Sequence, residues 1–133
     1  MMRSLNLLLI VLITISLQSC FKEKAGVINL VTPEEAAVLI ESDQVKIIDV
    51  RAELAFDKKH LKNAVNIEVE NDDLNSVLDQ MKKDEPLLVY CNKGGQSERC
   101  AQILKEKGFT LIYDMDGGIA KWEESGRQVI VKN

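Results

Sequence analysis

The chain has 133 residues, with 17 Lys+Arg against 21 Asp+Glu, a formal net charge of −4 and an isoelectric point near 5.1. Its basic residues (Lys58 and Lys59, Lys82 and Lys83, Lys105 and Lys107) are scattered and mostly interleaved with acids, which argues against nucleic acid as a partner. One histidine, three cysteines and the lack of any Cys-x-x-Cys pair argue against a zinc site, and the sequence has no internal repeat or low-complexity tract.

At the N-terminus, Arg3 supplies a positive charge and Leu5 to Leu17 form a 13-residue apolar run. That run is short for a membrane span, which needs about 20 apolar residues. It has the length of a signal-peptide core. The segment closes on Leu17-Gln18-Ser19-Cys20, which resembles the bacterial lipoprotein cleavage box. The resemblance implies a removed leader over residues 1–19, lipid on Cys20 and a lipidated tether over residues 20–26. An ordinary secretory leader with a chance cysteine is the competing reading, although Leu17 departs from the small residue expected there. The mature chain would have 114 residues, one domain by size, and loss of Arg3 would take its charge to −5.

From residue 27 onward, short apolar runs alternate with helical segments, the pattern of a parallel α/β sheet. Val27 to Val31 reads as a first strand. Thr32-Pro33-Glu34-Glu35 is a helix start, with a threonine cap, proline in the first turn and glutamate at the capping-box position. Ala36, Leu39 and Ile40 mark the buried face of that helix. Lys46 to Val50 is a second strand, nearly all apolar and so covered on both faces. Ala52 to Lys58 reads as a short helix and Val65 to Val69 as a weak strand. Leu74, Val77, Leu78 and Met81 recur at helical spacing after Asp72 and Asp73, residues that favour a helix N-terminus. Leu87 to Tyr90 is the central strand. Ser97 to Lys107 is a helix with Cys100, Ala101, Ile103 and Leu104 inward and Gly108 as its stop. Thr110 to Tyr113 is the last sheet strand, and Ile119 to Glu124 a terminal helix carrying Trp122.

The central strand delivers Cys91 into a loop, Asn92-Lys93-Gly94-Gly95-Gln96, with Ser97 opening the next helix. A lone cysteine between a strand end and a helix N-terminus is placed where backbone N–H groups stabilise negative charge on sulfur. Gly94 and Gly95 let the loop curl toward that sulfur, and a side chain at Gly94 would obstruct the curl if φ is positive there. Ser97 is placed both to cap the helix and to donate to a bound sulfur. In open α/β sheets ligands bind beyond the strand C-termini, where Cys91 lies.

The run from Cys91 to Ser97 resembles the Cys-x-x-Gly-x-Arg-Ser active loop of the rhodanese (sulfurtransferase) family. Ile47 to Ile67 resembles the family's Asp-x-Arg and His-Ile-x-Gly-Ala-x-Asn-Ile segment, and Tyr113 to Val129 its Gly-Gly-x-x-x-Trp element. The resemblance covers roughly residues 27 to 131. It implies an α/β fold with a central, mostly parallel sheet of about five strands and helices on both faces. It also implies sulfur transfer through a Cys91 persulfide, from a small sulfane-sulfur donor to a thiol or cyanide acceptor, without a cofactor or metal. Covalent catalysis of this kind splits a two-partner transfer into two half-reactions. Asp49, Arg51 and His60 become structural supports; a general-base role is the alternative for His60.

Two positions depart from the family pattern. Gln96 stands where the loop arginine is usual, and Lys59 and Asn63 replace glycines around His60. Without the arginine, poorer use of thiosulfate, a dianion, is expected; neutral or small donors, such as polysulfide or a protein persulfide, suffer less, and Lys93 offers a substitute charge. Cys100 reads as core, with a resolving thiol for Cys91 as the alternative. Two other functions compete: a non-catalytic binding or redox-sensing module, and a phosphatase or arsenate reductase. The latter needs Cys-x5-Arg, and that position is Ser97; Arg99 lies too far along. The whole reads as a lipid-anchored monomer of the bacterial envelope, its bilayer partner engaged through Cys20.

Overall fold

A computed structural model describes residues 25–132. The leader expected over residues 1–19, the lipidation site Cys20 and most of the tether lie outside the described residues. No described helix is long and apolar enough to cross a membrane.

Five strands form one wholly parallel sheet: β1 (Val27–Val31), β2 (Lys46–Asp49), β4 (Val65–Asn66), β5 (Leu87–Tyr90) and β6 (Leu111–Met115). Their spatial order is β1-β6-β5-β2-β4. Strand β5 lies at the centre because all four of its residues are apolar or aromatic and all are buried. Its side chains alternate between two cores, as the pleat requires. Leu87 and Val89 pack with Ile48, Leu104 and Phe109, whereas Leu88 and Tyr90 pack with Ile47, Met115 and Ile119.

Helices cover both faces, as the sequence pattern implies. Helix α1 (Pro33–Glu41) and helix α5 (Gly118–Glu124) lie on the Tyr90 side through Ala36, Ile119 and Trp122. Helix α3 (Leu74–Asp79) and helix α4 (Gly95–Glu106) lie on the Val89 side through Leu74, Leu78, Ala101 and Leu104. The expected capping box of α1 is formed: Glu35 N–H donates to Thr32 Oγ1 at 3.2 Å, and Thr32 N–H donates to Glu35 Oε2 at 2.9 Å. Such a cap contributes about 1 kcal/mol.

Several boundaries differ from the sequence expectation. Strand β2 ends at Asp49 rather than Val50. The strand expected to reach Val69 pairs only over Val65–Asn66. Beyond it the chain keeps isolated bonds to β2 and its exit, Ile67 N–H to Asp49 O and Val69 N–H to Val50 O, before turning at Glu68 to Asn71. Strand β6 extends two residues past Tyr113, because β1 pairs with it as far as Val31↔Met115. Helix α2 (Glu53–Lys58) leaves Leu54 77% exposed. A second, two-stranded antiparallel ribbon joins β3 (Lys59–His60) to β7 (Ile130–Val131) and was not expected. Two-residue strands are too short to show a periodicity.

Candidate active site

The site sits where β5 ends. Val89 pairs with Asp114 of β6 across one edge of β5, and Tyr90 with Asp49 of β2 across the other. Cys91 follows, 2% exposed, and Gly94 N–H donates to its Sγ at 3.0 Å. Gly94 makes this possible by adopting φ +119°, a conformation that L side chains rarely enter. Its amide therefore faces the sulfur while its carbonyl starts α4, accepting from Glu98 N–H at 3.0 Å. A Cβ at Gly94 would meet nothing closer than Gly117 N at 3.7 Å, so what excludes side chains here is conformation rather than crowding.

This geometry corrects three expectations. Helix α4 begins at Gly95, so Gly95, Gln96 and Ser97 form its first turn and only Asn92 to Gly94 are loop. Ser97 does not cap the helix, and its hydroxyl is not directed to the sulfur: it is buried and donates to Gly94 O at 3.0 Å. The cap residue is Gly94. Of the several loop N–H groups expected at the sulfur, the hydrogen bonds of the described residues show that of Gly94. Asn92, Lys93 and Gln96 are exposed around the mouth.

A second support went unrecognised in the sequence. The terminal helix α5 docks its N-terminus on the loop: Ile119 N–H donates to Cys91 O at 2.9 Å, and Ala120 N–H donates to Asn92 O at 3.1 Å. These bonds satisfy amides that a helix start leaves free. Gly118 permits the approach, with φ +60° and a virtual Cβ only 2.4 Å from Cys91 O and 2.6 Å from Asn92 O. The Gly117-Gly118 pair was the available signal, although its contact with the cysteine loop is not legible in one dimension. Trp122, 8% exposed, packs in the core on the Tyr90 side and donates from its indole to Gln128 O at 3.0 Å.

The structure brings Asp49 and Arg51 together in a buried ion pair. Arg51 Nη2 lies 2.6 Å from Asp49 Oδ2, Arg51 Nε lies 2.9 Å from Oδ1, and Arg51 N–H donates to Oδ1 at 3.0 Å. Arg51 Nη2 also donates to Lys59 O at 2.7 Å, which ties the pair to β3. Burial opposes the charge on Arg51, but the bonds to Asp49 outweigh it and raise the guanidinium pKa. Tyr90, buried and beside Asp49, has its phenol pKa raised chiefly by desolvation; its oxygen accepts from Leu61 N–H at 3.1 Å. His60 stacks on Phe56 with ring centroids 4.1 Å apart, and its Nδ1 is 2.9 Å from Phe56 O. All these contacts stay within the scaffold.

Cys100 is 1% exposed, with its thiol pushed up to about 12 by burial and by the charge of Asp114. Both Cys91 and Cys100 are free thiols. Arg99 points to Glu70, at 2.9 Å and 3.2 Å, and not into the loop. The described residues contain no group of three or more His, Cys, Asp or Glu side chains suited to a metal ion.

Comparison with known proteins agrees with this geometry. Residues 32–125 match the family described as Rhodanese-like domain. A thiosulfate sulfurtransferase GlpE of Shewanella oneidensis is 37% identical over 87 residues, covering 65% of this chain and 84% of that protein. One from Coxiella burnetii is 33% identical over 89 residues, covering 67% and 81%. The fold matches a rhodanese-related protein from Thermoplasma volcanium with TM-score 0.69 at 23% identity, over 78% of this chain and 99% of that one. The chain is a member of the rhodanese-like domain family.

Proposed function

We propose that the protein is a sulfurtransferase or sulfur carrier in which Cys91 holds a sulfane sulfur as a persulfide. The observation that carries this reading is the Gly94 N–H aimed at Cys91 Sγ from a positive-φ glycine, at the N-terminus of a 12-residue helix. That arrangement places a partial positive charge where a sulfur anion forms. The relatives' names supply the reaction type.

The two half-reactions balance. The Cys91 thiolate attacks the outer sulfur of thiosulfate, the bond from that sulfur to the sulfonate breaks, and sulfite leaves with the electron pair. The persulfide then gives its terminal sulfur to cyanide or a thiolate, and the Cys91 thiolate returns. Gln96 keeps an N–H donor at the mouth but lacks the fixed charge that suits a dianion. A protein persulfide, which brings less charge to the loop, therefore suffers less from the missing arginine than thiosulfate does. The test is steady-state transfer to cyanide. Gln96→Arg is expected to raise kcat/KM for thiosulfate about tenfold, a charge effect of the size expected near a protein surface. Unchanged turnover in that variant would remove Gln96 from the account.

Location is a second proposal, supported by the Leu17-Gln18-Ser19-Cys20 box and the apolar run before it. Cys20 carries lipid and holds the domain on an envelope membrane, since two or more acyl chains anchor stably where one does not. Metabolic labelling with a fatty-acid analogue should mark the full chain and leave Cys20→Ala unmarked. Equal labelling of the two would exclude Cys20 as the acceptor.

A further inference from the structure

A carboxylate that no part of the chemistry above requires lies directly behind the sulfur loop. Asp114, on β6 beside the end of β5, is 4% exposed. Among the buried side-chain nitrogen and oxygen atoms of the described residues, its Oδ1 alone has no hydrogen-bond partner. The contrast with Asp49 is direct: that carboxylate is equally buried, yet it is neutralised by Arg51. A buried carboxylate without a cation is unfavourable, and such a group invites a functional explanation.

Its surroundings tie it to the loop that carries the sulfur. Asp114 lines a groove of about 630 Å³ together with Lys93, Gly94 and Gly95 of the loop and first helical turn. Ser97, whose hydroxyl holds Gly94 O, also adjoins the carboxyl and partly stabilises its charge. Cys100, which shares an apolar cluster with Cys91, feels the same charge. The neighbouring acids Glu98 and Asp116 add negative potential. The cations of this region do not cancel it. Lys121 is held by Asp116, and Arg99 by Glu70. Lys93 and Lys105 line the groove but are exposed, where solvent and salt screen them more than a buried group is screened.

Resting on the sulfurtransferase reading, we infer that Asp114 is a specificity-determining residue of the Cys91 site: its uncompensated negative charge behind the loop disfavours dianionic sulfur donors and selects for donors of lower charge. It acts through the field at the loop, without touching the reacting sulfur. Together with Gln96, it moves the site away from thiosulfate.

The test compares two donors that share one chemistry and differ by one charge. Thiosulfate, a dianion, gives its sulfane sulfur and leaves as sulfite. Methanethiosulfonate, a monoanion, gives its sulfane sulfur and leaves as methanesulfinate. In both, the Cys91 thiolate forms the new S–S bond and the leaving group takes the electron pair. The ratio of the two kcat/KM values isolates donor charge from loop integrity, because a merely structural defect lowers both. Asp114→Asn is expected to raise the thiosulfate-to-methanethiosulfonate ratio about three- to tenfold at low salt, with Asp114→Ser behaving alike and the gain shrinking as salt is added. An unchanged ratio in folded variants, with transfer from both donors intact, overturns the inference and leaves the sulfurtransferase reading standing. No transfer from either donor to wild-type protein overturns that reading and the inference with it.

Discussion

At the residue scale, the site depends on positions whose side chains are absent or out of reach of the chemistry. Gly118 is the clearest. A methyl group there would press on backbone atoms of Cys91 and Asn92, in a conformation that costs an L residue about 1–2 kcal/mol before any clash. Gly118→Ala is therefore expected to lose about 2–4 kcal/mol in urea unfolding. It should also lower sulfur transfer, because the displaced atoms belong to the cysteine loop. A change below about 0.5 kcal/mol would mean that the α5 docking is unimportant. Arg51→Ala leaves the Asp49 carboxylate buried and unpaired, at about 3–5 kcal/mol. Adding Asp49→Asn to it should recover part of that loss, since the orphaned charge goes too. Cys91 and Gly94 are legible in the sequence from the strand–loop–helix pattern, and Asp49 and Arg51 only through the resemblance to the rhodanese family. Asp114 is not legible, because it is an acid in a strand and its lack of a partner is a three-dimensional fact.

At the scale of elements, propensity and packing divide the work. The start of α1 was readable because threonine, proline and glutamate stand at fixed offsets and close their bonds within three residues. Thr32→Ala is expected to cost about 1 kcal/mol with no effect on donor preference, since the cap lies on β1's exit and not at the sulfur. Helix α4 starts two residues before the position the sequence favours. Glycines are poor helix formers, and the sequence favours Ser97 as the first helical residue. The tertiary structure overrides this: once Gly94 turns its amide to the sulfur, its carbonyl accepts both Glu98 N–H and the Ser97 hydroxyl, and the helix is already under way. Strand β4 is shorter than its sequence suggests, for the opposite reason. Val65 to Val69 has strand-like composition, but only its first two residues lie in the ladder before the chain turns off the sheet.

At the scale of the whole molecule, the parallel sheet aims three strand ends at one place, and charge on those ends has global consequences. Burial raises the Asp114 pKa above 3.8, with Glu98 and Asp116 reinforcing the shift and Ser97 opposing it. The sign follows from proton counting. Between 3.8 and the raised value the folded state binds more protons than the unfolded one, so Asp114 contributes a loss of stability as pH rises through that window. Asp114→Asn should accordingly be more stable than wild type at neutral pH, and the advantage should vanish below about pH 3.8. A constant difference across pH, measured by urea titration at each value, would contradict this. The five-stranded sheet and the two helical layers were legible from alternating apolar runs, whereas the β3–β7 ribbon, joining residues 59 and 131, was not.

Intact mass reads directly whether Cys91 carries sulfur. Reduced domain is exposed to thiosulfate and, separately, to polysulfide, with Cys91→Ser treated beside it. Wild-type protein is expected to gain one sulfur atom that cyanide removes and that the variant lacks. Fully reduced wild-type protein that takes up no sulfur from either donor would contradict this, and would make the domain a binding or redox-sensing module.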